Sequence, residues 1–375
     1  MSQVDAFSRR WNGQSGRLEV WYATFSDPES GTGFWVHQEI VAPLADDRRP
    51  YVHGWAAFFS PEGEPVFERF GPQDVSTADH IPGGRVPDVS GITCTASRLA
   101  GSAGRLKWDI DMEPIDPAAP APGTAPGASS RSSSLEAPGA SAPPEAPEAP
   151  SGPLRAKPLF TFPAWSWSKE ILPGCQVVPI PSARAHGFVT VSTGTGDSED
   201  DAEDGAPKGK TAKHGFSAQA RGNLAHIYGH GNARKWAWLH ADLGNGEVLE
   251  FVSAVAKMPG LSNLPPLTAL QLRVGGRDWP KDSLLAAPLF KAEIAFPDFR
   301  VKGTVGRWRL RCDVHLNKKA SVAVPYTDPD GSTATCTNSE ISDAEIILEK
   351  RGRSWEVARR WDLRGTAHAE IGERP

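Results

Sequence analysis

The chain has 375 residues, and this length favours two domains over one. Its 40 basic and 45 acidic residues give a formal net charge of -5, so charge provides no basis for nucleic-acid binding. The four cysteines stand far apart without Cys-x-x-Cys spacing, which argues against a zinc site and a disulfide scaffold. The first residues contain no apolar stretch, and no run of about 18 apolar residues occurs. We therefore expect a cytoplasmic protein without a signal peptide or an integral membrane segment.

The first part of the chain has the pattern of short β-strands separated by Gly, Pro, Asp and Ser turns. Strands are predicted at 17–25 (RLEVWYATF), 33–42 (GFWVHQEIVA), 50–59, 66–70 and 105–112. Residues 51–55 (YVHGW) place Tyr51, His53 and Trp55 on one face of their strand. This strand is interpreted as the hairpin partner of 34–41, and His53 is a candidate ligand-binding residue.

Two segments differ from the rest in composition. Residues 114–157 are mostly Pro, Ala, Gly and Ser, and such a segment cannot bury enough apolar surface to fold. We expect a disordered insertion here, with unknown partners. Residues 194–213 are first acidic (DSEDDAEDG) and then basic (KGKTAK), which predicts a solvated loop.

The second part also predicts strands. They include 225–228, 235–243, 248–256, 269–274, 290–295, 308–316, 344–350, 355–361 and 367–372. The Gly-Asn-Gly turn at 244–246 between two such runs is the clearest hairpin signal in the chain. The chain is therefore predicted to be all-β, with two antiparallel barrel or sandwich domains. The expected divisions are a first domain at 10–193 that contains the insertion, the loop at 194–213, and a second domain at 214–375.

One short pattern, Trp-x-His-x-acid, occurs in both parts of the chain, at 35–39 (WVHQE) and 238–242 (WLHAD). Alternate residues of a strand point to the same face, so each copy lines up a tryptophan, a histidine and a carboxylate. Each acid lies two residues from its histidine, where it can orient the imidazole. A row on the solvent face of a sheet is the alternative interpretation, although tryptophan is uncommon there. We interpret the two copies as marking equivalent strands of two domains.

The region 160–245 resembles a known superfamily. Phe162-Pro163, Leu172-Pro173-Gly174 and the run 222–232 (GNLAHIYGHGN) lead into Trp236-Ala237-Trp238. This order is similar to the central signature of the carotenoid 1,2-hydratase (hydroxyneurosporene synthase) and tocopherol cyclase-like superfamily, which includes AttH-type proteins and fungal Diels–Alderases. The aspartate of the hydratase motif is absent here. The resemblance implies two packed lipocalin-like β-domains.

The same loop supplies the candidate acid. The unperturbed pKa of histidine lies near neutrality, so His230 is the first candidate to protonate an alkene or an enol, followed by His240 aided by Asp242. Tyr228 and Asn232 would orient the reacting groups. Trp35, Trp236 and Trp238, whose faces stabilise developing positive charge, are with His37 the further ligand-binding candidates. The alternative is that Tyr228 and His230 only order a tight loop.

These observations predict a protein that binds a hydrophobic small molecule of isoprenoid or polyketide type. Cofactor-free, acid-catalysed cyclisation, hydration or isomerisation can accompany binding. The alternative is a non-catalytic carrier of lipids or other hydrophobic ligands, or an interaction scaffold. No metal ligand spacing is present, and the missing Gly-x-Ser-x-Gly and dinucleotide motifs disfavour hydrolases and nucleotide-dependent enzymes.

Overall fold

The computed structural model describes residues 6–45, 48–75, 91–116, 157–169, 172–192, 210–231, 233–257 and 264–375. They form two antiparallel β-sheets, which confirms the predicted all-β class. Most of the predicted insertion and most of the predicted loop at 194–213 lie outside the described residues. Within the described part of the chain, no helix is long and apolar enough to cross a membrane.

The first sheet contains eleven strands. They are β1 (Arg17–Asp27), β2 (Thr32–Ala42), β3 (Tyr51–Phe59), β4 (Val66–Asp74), β5 (Thr93–Cys94), β6 (Arg98–Ala103), β7 (Leu106–Pro114), β8 (Leu159–Phe160), β9 (Gly174–Ser192), β10 (Thr211–Gly215) and β11 (Arg221–Gly229). Their order is β4-β3-β2-β1-β11-β9-β7-β6-β5, and β8 and β10 also pair with β9. A short helix, α1 (Ala164–Ser168), precedes β9.

The second sheet contains ten strands. They are β12 (Ala233–Gly244), β13 (Glu247–Ala256), β14 (Leu267–Val274), β15 (Arg277–Trp279), β16 (Phe290–Ile294), β17 (Asp298–Val305), β18 (Trp308–His315), β19 (Val322–Thr327), β20 (Thr333–Arg351) and β21 (Trp355–Glu373). Their order is β15-β14-β13-β12-β21-β20-β18-β17-β16, and β19 pairs with β20. Helix α2 (Ser283–Ala286) and two 3-10 turns, Ala287–Leu289 and Lys318–Ala320, complete the fold.

The hairpin predicted from Gly-Asn-Gly is present between β12 and β13. Asn245 and Gly246 both have positive φ, the conformation that such a tight turn needs and that these two residue types tolerate. The chain passes from the first sheet to the second between Gly229 and Ala233. The domain limits expected from the sequence stay a prediction.

The two sheets have matching strand orders, and this match corrects one interpretation of the sequence. Counted from β4 and from β15, β2 is the third strand of its sheet and β12 is the fourth. The strand that corresponds to β12 is therefore β1, and β2 corresponds to β13. The two Trp-x-His-x-acid rows do not mark equivalent strands, because the pattern reflects which face is buried rather than strand position.

Three hydrophobic clusters fill the molecule. One lies within the first sheet and includes Trp21, Phe34 and Trp108. A second lies within the second sheet, around Leu239 and Phe251. The third combines residues of both sheets, among them Trp35 and Trp55 of the first and Trp238 of the second. We call the region that it fills the sheet junction. Strand β2 is buried along its whole length because one face meets the first cluster and the other meets the junction.

The N-terminal residues are fastened inside the first sheet by a buried carboxylate. Glu19 accepts hydrogen bonds from the backbone of Arg10 (2.6 Å) and Trp11 (2.7 Å) and lies 2.8 Å from His226 Nε2. The other ring nitrogen, Nδ1, is 2.8 Å from the carbonyl oxygen of Ala6. Both ring nitrogens thus face oxygen atoms, and the imidazole of His226 links Glu19 on β1 to the backbone of Ala6.

Candidate functional site

The sheet junction contains a cavity of about 450 Å³. Its wall is mostly apolar and comes from both sheets, with contributions from β1, β2, β9, β12, β13 and β14. The polar lining includes Tyr22, His37, Gln176, Asn338, Glu370 and Arg374. The volume falls in the range of small-molecule pockets, roughly 300–1,000 Å³.

Two tryptophans of the junction donate hydrogen bonds to carboxylates. Trp238 Nε1 donates to Glu250 (2.7 Å), and Trp236 Nε1 donates to Glu370 (2.8 Å). Trp35 packs edge-on against Trp55, with 5.7 Å between ring centroids. Because the indole N–H groups of Trp236 and Trp238 each have an acceptor, these two rings present fixed apolar faces to the cavity.

Glu250 organises the wall on the second sheet. Its fully buried carboxylate accepts hydrogen bonds from Gln176 Nε2, Trp238 Nε1 and His240 Nδ1, the last at 2.6 Å. Gln176 also donates to the hydroxyl of Tyr22 at 3.0 Å, so this network crosses from one sheet to the other. Three donors compensate for the burial of this carboxyl group, and the result is a rigid polar wall.

A second carboxylate, Glu39, organises the first sheet. Its oxygens lie 3.1 Å from His37 Nε2 and 2.7 Å from His53 Nε2. Burial alone would raise the pKa of Glu39, but these two hydrogen bonds outweigh burial and lower the pKa to about 2. Burial lowers the pKa of His37, so a neutral imidazole donates to an ionised carboxylate. The His37 ring stacks on Trp55 at 3.9 Å, which fixes the face it turns to the cavity.

Glu370 on β21 is one of two carboxyl groups that line the cavity among the described residues, and the other is Asp328. Glu370 lies directly across from Asn338 on β20 and from Trp238 on β12. Burial raises its pKa, although hydrogen bonds from Trp236 and others oppose the effect. Burial and the neighbouring Glu370 also raise the pKa of Glu340 well above its usual value. The carboxyl groups of Glu370 and Glu340 therefore hold their protons to higher pH than an exposed glutamate does.

Burial also keeps two phenols and one imidazole at the junction neutral. Burial raises the pKa of Tyr22 and of Tyr326 well above that of a free phenol. Burial lowers the pKa of His368, whose Nδ1 lies 2.5 Å from Thr24 Oγ1 and whose Nε2 lies 3.1 Å from Ser26 Oγ. A mostly apolar cavity with these neutral groups among its few polar ones suits a hydrophobic ligand that carries a few oxygen atoms.

Four of the residues predicted from the sequence line the cavity together, namely Trp35, His37, Trp236 and Trp238. His53 and His240 lie behind the wall and contact its carboxylates, Glu39 and Glu250. The predicted pairing of His37 with Glu39 is present. The predicted pairing of His240 with Asp242 is wrong, because His240 donates to Glu250.

Three of the remaining predicted residues lie away from the cavity. Asp242 accepts hydrogen bonds from Ser182 Oγ (2.5 Å) and the backbone of Gly244 (2.8 Å). Tyr228 is buried within the first sheet, where the Arg10 guanidinium lies 4.5 Å from its ring centre. His230 is exposed to solvent, and Asn232 lies outside the described residues. The loop between β11 and β12 therefore does not bring its histidine to the cavity, although Gly231 and Ala233 line it.

The prediction omitted several polar residues of the site. They are Tyr22, Gln176, Glu250, Tyr326, Asn338 and Glu370. One signal was available, because 368–370 (HAE) repeats the His-x-acid alternation on β21. The four cysteines are buried and unpaired by disulfides. Among the described residues, no three or more His, Cys, Asp or Glu side chains are grouped to hold a metal ion.

Comparison with known proteins gives relatives for nearly the whole chain. No protein-family model matches it. The uncharacterized protein Rv0493c of Mycobacterium tuberculosis is 37% identical over 365 residues, covering 97% of this chain and 89% of that protein. The uncharacterized protein MT0513, from another strain of that species, matches equally.

Among solved structures, the crystal structure of CghA has a TM-score of 0.50 at 12% identity, with 98% of this chain and 94% of CghA covered. A crystal structure of CghA with Sch210972 has a TM-score of 0.47 at 11% identity. The likeness to CghA supports a lipocalin-like β fold. At 37% identity across almost its full length, the chain belongs to the same family as the uncharacterized Mycobacterium tuberculosis protein Rv0493c.

Proposed function

We propose that this protein binds a hydrophobic small molecule, of isoprenoid or polyketide type, in the cavity at the sheet junction. The observation that carries the proposal is the cavity itself, about 450 Å³ with a mainly apolar wall and a few fixed polar groups. The interiors of the two sheets are filled by their own side chains, so the junction is the better place for a ligand. The resemblance to the carotenoid hydratase and tocopherol cyclase-like superfamily supports the same ligand class.

The polar wall indicates the kind of ligand. The Tyr22 hydroxyl accepts from Gln176 and keeps its own proton for a further acceptor. Asn338 Oδ1 is buried and makes no hydrogen bond to the described residues. A ligand hydroxyl at this end can accept from Tyr22 and donate to Asn338 Oδ1, with a hydrocarbon body against the faces of the junction tryptophans.

Acid catalysis is the second candidate function, and Glu370 is the observation that favours it. A carboxyl group on the cavity wall whose pKa is raised by burial keeps a proton that it can donate to an alkene or an enol. The faces of Trp236 and Trp238 would stabilise the positive charge that forms. The sequence favoured His230 as the donor, and its solvent exposure makes Glu370 the better placed acid.

Binding is tested with an apolar fluorescent probe, N-phenyl-1-naphthylamine, titrated into the purified full chain. Ala254 lines the cavity, so Ala254→Phe should fill part of it and weaken probe binding at least about tenfold. The matched control is Ala323→Phe on β19, where Ala323 is exposed, and it should bind as the unmodified protein does. Equal binding by all three proteins would refute the cavity as the binding site.

Catalysis is tested by incubating the protein with a lipid extract and following bound and released species by native mass spectrometry. A product of unchanged mass, or one heavier by a water molecule, indicates isomerisation, cyclisation or hydration. We expect Glu370→Gln to abolish the product and keep binding, and His230→Ala to keep both. If the product is lost in His230→Ala but not in Glu370→Gln, the proton donor is His230 and not Glu370. A bound compound that is released unchanged would identify a carrier.

A further inference from the structure

The part of the cavity wall that is most exposed to solvent lies at the start of β14 in the second sheet. Of the described residues that line the cavity, Leu267 at the start of β14 is the most exposed, at 48%. Helix α2 packs against β14 and contributes Leu284 to the lining. A ligand that enters or leaves the cavity by the most open part of its wall therefore passes Leu267 and α2.

The surface around this opening is unusually apolar. Leu285, the residue after the cavity-lining Leu284, is 79% exposed, and Leu289 in the following turn is 53% exposed. The side chain of Asp282 accepts hydrogen bonds from the backbone of Leu284 and Leu285, both at 3.0 Å, so α2 is fixed with Leu285 outward. Large side chains held outward beside a pocket indicate an interaction surface.

A row of cations lies beside these leucines. Lys291 on β16 is directly opposite Lys302 on β17, which is directly opposite Arg311 on β18. Leu289 lines the same groove as these three residues. Arg311 lies 3.6 Å from Glu349, whereas neither lysine has a carboxylate within 4.0 Å among the described residues. Like charges directly opposite destabilise a sheet, so this row costs stability in the isolated protein.

We propose that Leu267, Leu285 and Leu289, together with Lys291, Lys302 and Arg311, dock the opening of the cavity onto an anionic lipid membrane. The leucines enter the boundary between headgroups and acyl chains, and the cations bind anionic headgroups. A second copy of this chain would place the same cations against each other in a two-fold interface. A nucleic acid would leave the leucines without a role.

This inference rests on the proposed function, since a hydrophobic ligand dissolved in a membrane reaches the cavity only if the opening faces that membrane. It adds to the proposed function a place, the membrane surface, where the ligand enters and leaves the cavity. The net charge of the whole chain is -5, so attraction to an anionic surface has to come from this local row. Binding should therefore weaken as salt rises.

The test is co-sedimentation of the full chain with vesicles, either pure phosphatidylcholine or equimolar phosphatidylcholine and phosphatidylglycerol. We expect binding to the mixed vesicles at low salt and much weaker binding to the neutral ones. Each basic side chain near an anionic surface contributes about fivefold, so the double variant Lys291→Gln, Lys302→Gln should bind about 25-fold more weakly. Leu285→Asp should also weaken binding, at least about tenfold.

Two matched controls come from the first sheet and the loop beside it. Leu44, which is 60% exposed, gives Leu44→Asp, and Lys107, exposed on β7, gives Lys107→Gln. Both controls should bind vesicles as the unmodified protein does. Equal binding to both kinds of vesicle, or the same loss in control and test variants, would overturn the proposal.

Probe binding in solution separates this inference from the proposed function. Leu285→Asp and the double lysine variant should keep their affinity for N-phenyl-1-naphthylamine while their binding to mixed vesicles weakens. Ala254→Phe should show the reverse. If the unmodified protein binds the probe but does not bind vesicles, the docking surface is refuted. The proposal that the cavity binds a ligand is then unaffected.

Discussion

Replacing Glu39 with glutamine should destabilise the protein in a strongly pH-dependent way. The carboxyl group has a pKa of about 2 in the folded protein against 4.5 as its ordinary value, a difference worth about 3 kcal/mol of unfolding free energy. Because the pKa is lowered on folding, this stabilisation is complete above the ordinary value and is lost as the pH falls toward the folded value. Glu39→Gln should therefore cost about 3 kcal/mol at neutral pH and progressively less on acidification.

The assay is urea-induced unfolding of both proteins from neutral pH down to the lowest pH at which both fold. Exposed Glu62 provides the control, and Glu62→Gln should leave the unfolding free energy unchanged at every pH. A difference between Glu39→Gln and the unmodified protein that stays constant with pH would refute the reasoning. That result would mean that His37 and His53 do not stabilise the ionised form of Glu39.

Three further predictions concern the same architecture. Gly33→Ala should lower the unfolding free energy by about 1–3 kcal/mol in a urea titration, because an added Cβ would lie 2.7 Å from Glu340 Cβ on the opposite sheet; an unchanged midpoint would argue against this close approach. Glu19→Gln should cost about 3–5 kcal/mol by the same assay, since it breaks a buried pair with His226, and wild-type stability would contradict that pairing. Glu370→Gln should gain stability relative to the unmodified protein as the pH rises above the ordinary glutamate pKa, because the raised pKa of Glu370 makes its ionisation costly; parallel pH profiles would show that Glu370 is not neutral in the fold.

The all-β class and the rows of aromatic and polar residues were predictable because they depend on local alternation. A strand turns every second residue to the same face, so the row that begins at Trp35 is visible in the sequence. The Gly-Asn-Gly hairpin is equally local, since Asn245 and Gly246 tolerate the positive φ that the turn needs. These features need no knowledge of which strands become neighbours.

The partners of the row residues were not predictable in the same way. Residues i and i+2 of a strand are about 7 Å apart, whereas direct cross-strand neighbours have Cβ atoms about 5 Å apart. A histidine side chain can bridge either distance, so His37 reaches Glu39 on its own strand, whereas His240 binds Glu250, its cross-strand neighbour. The exposure of His230 likewise depends on where a loop lies relative to two sheets, and alternation carries no information on that.

The sheet junction is where the fold departs most from what stability alone would favour. The interiors of both sheets bury mainly apolar side chains, yet the junction buries Glu39, Glu250, Glu340 and His368 and partly buries Glu370. Buried ionisable groups cost free energy even when they are hydrogen-bonded, and well-packed apolar residues of similar size are often as stable or more so. Stability alone therefore does not explain their concentration around the cavity, and this is one reason why we propose the cavity as a binding site.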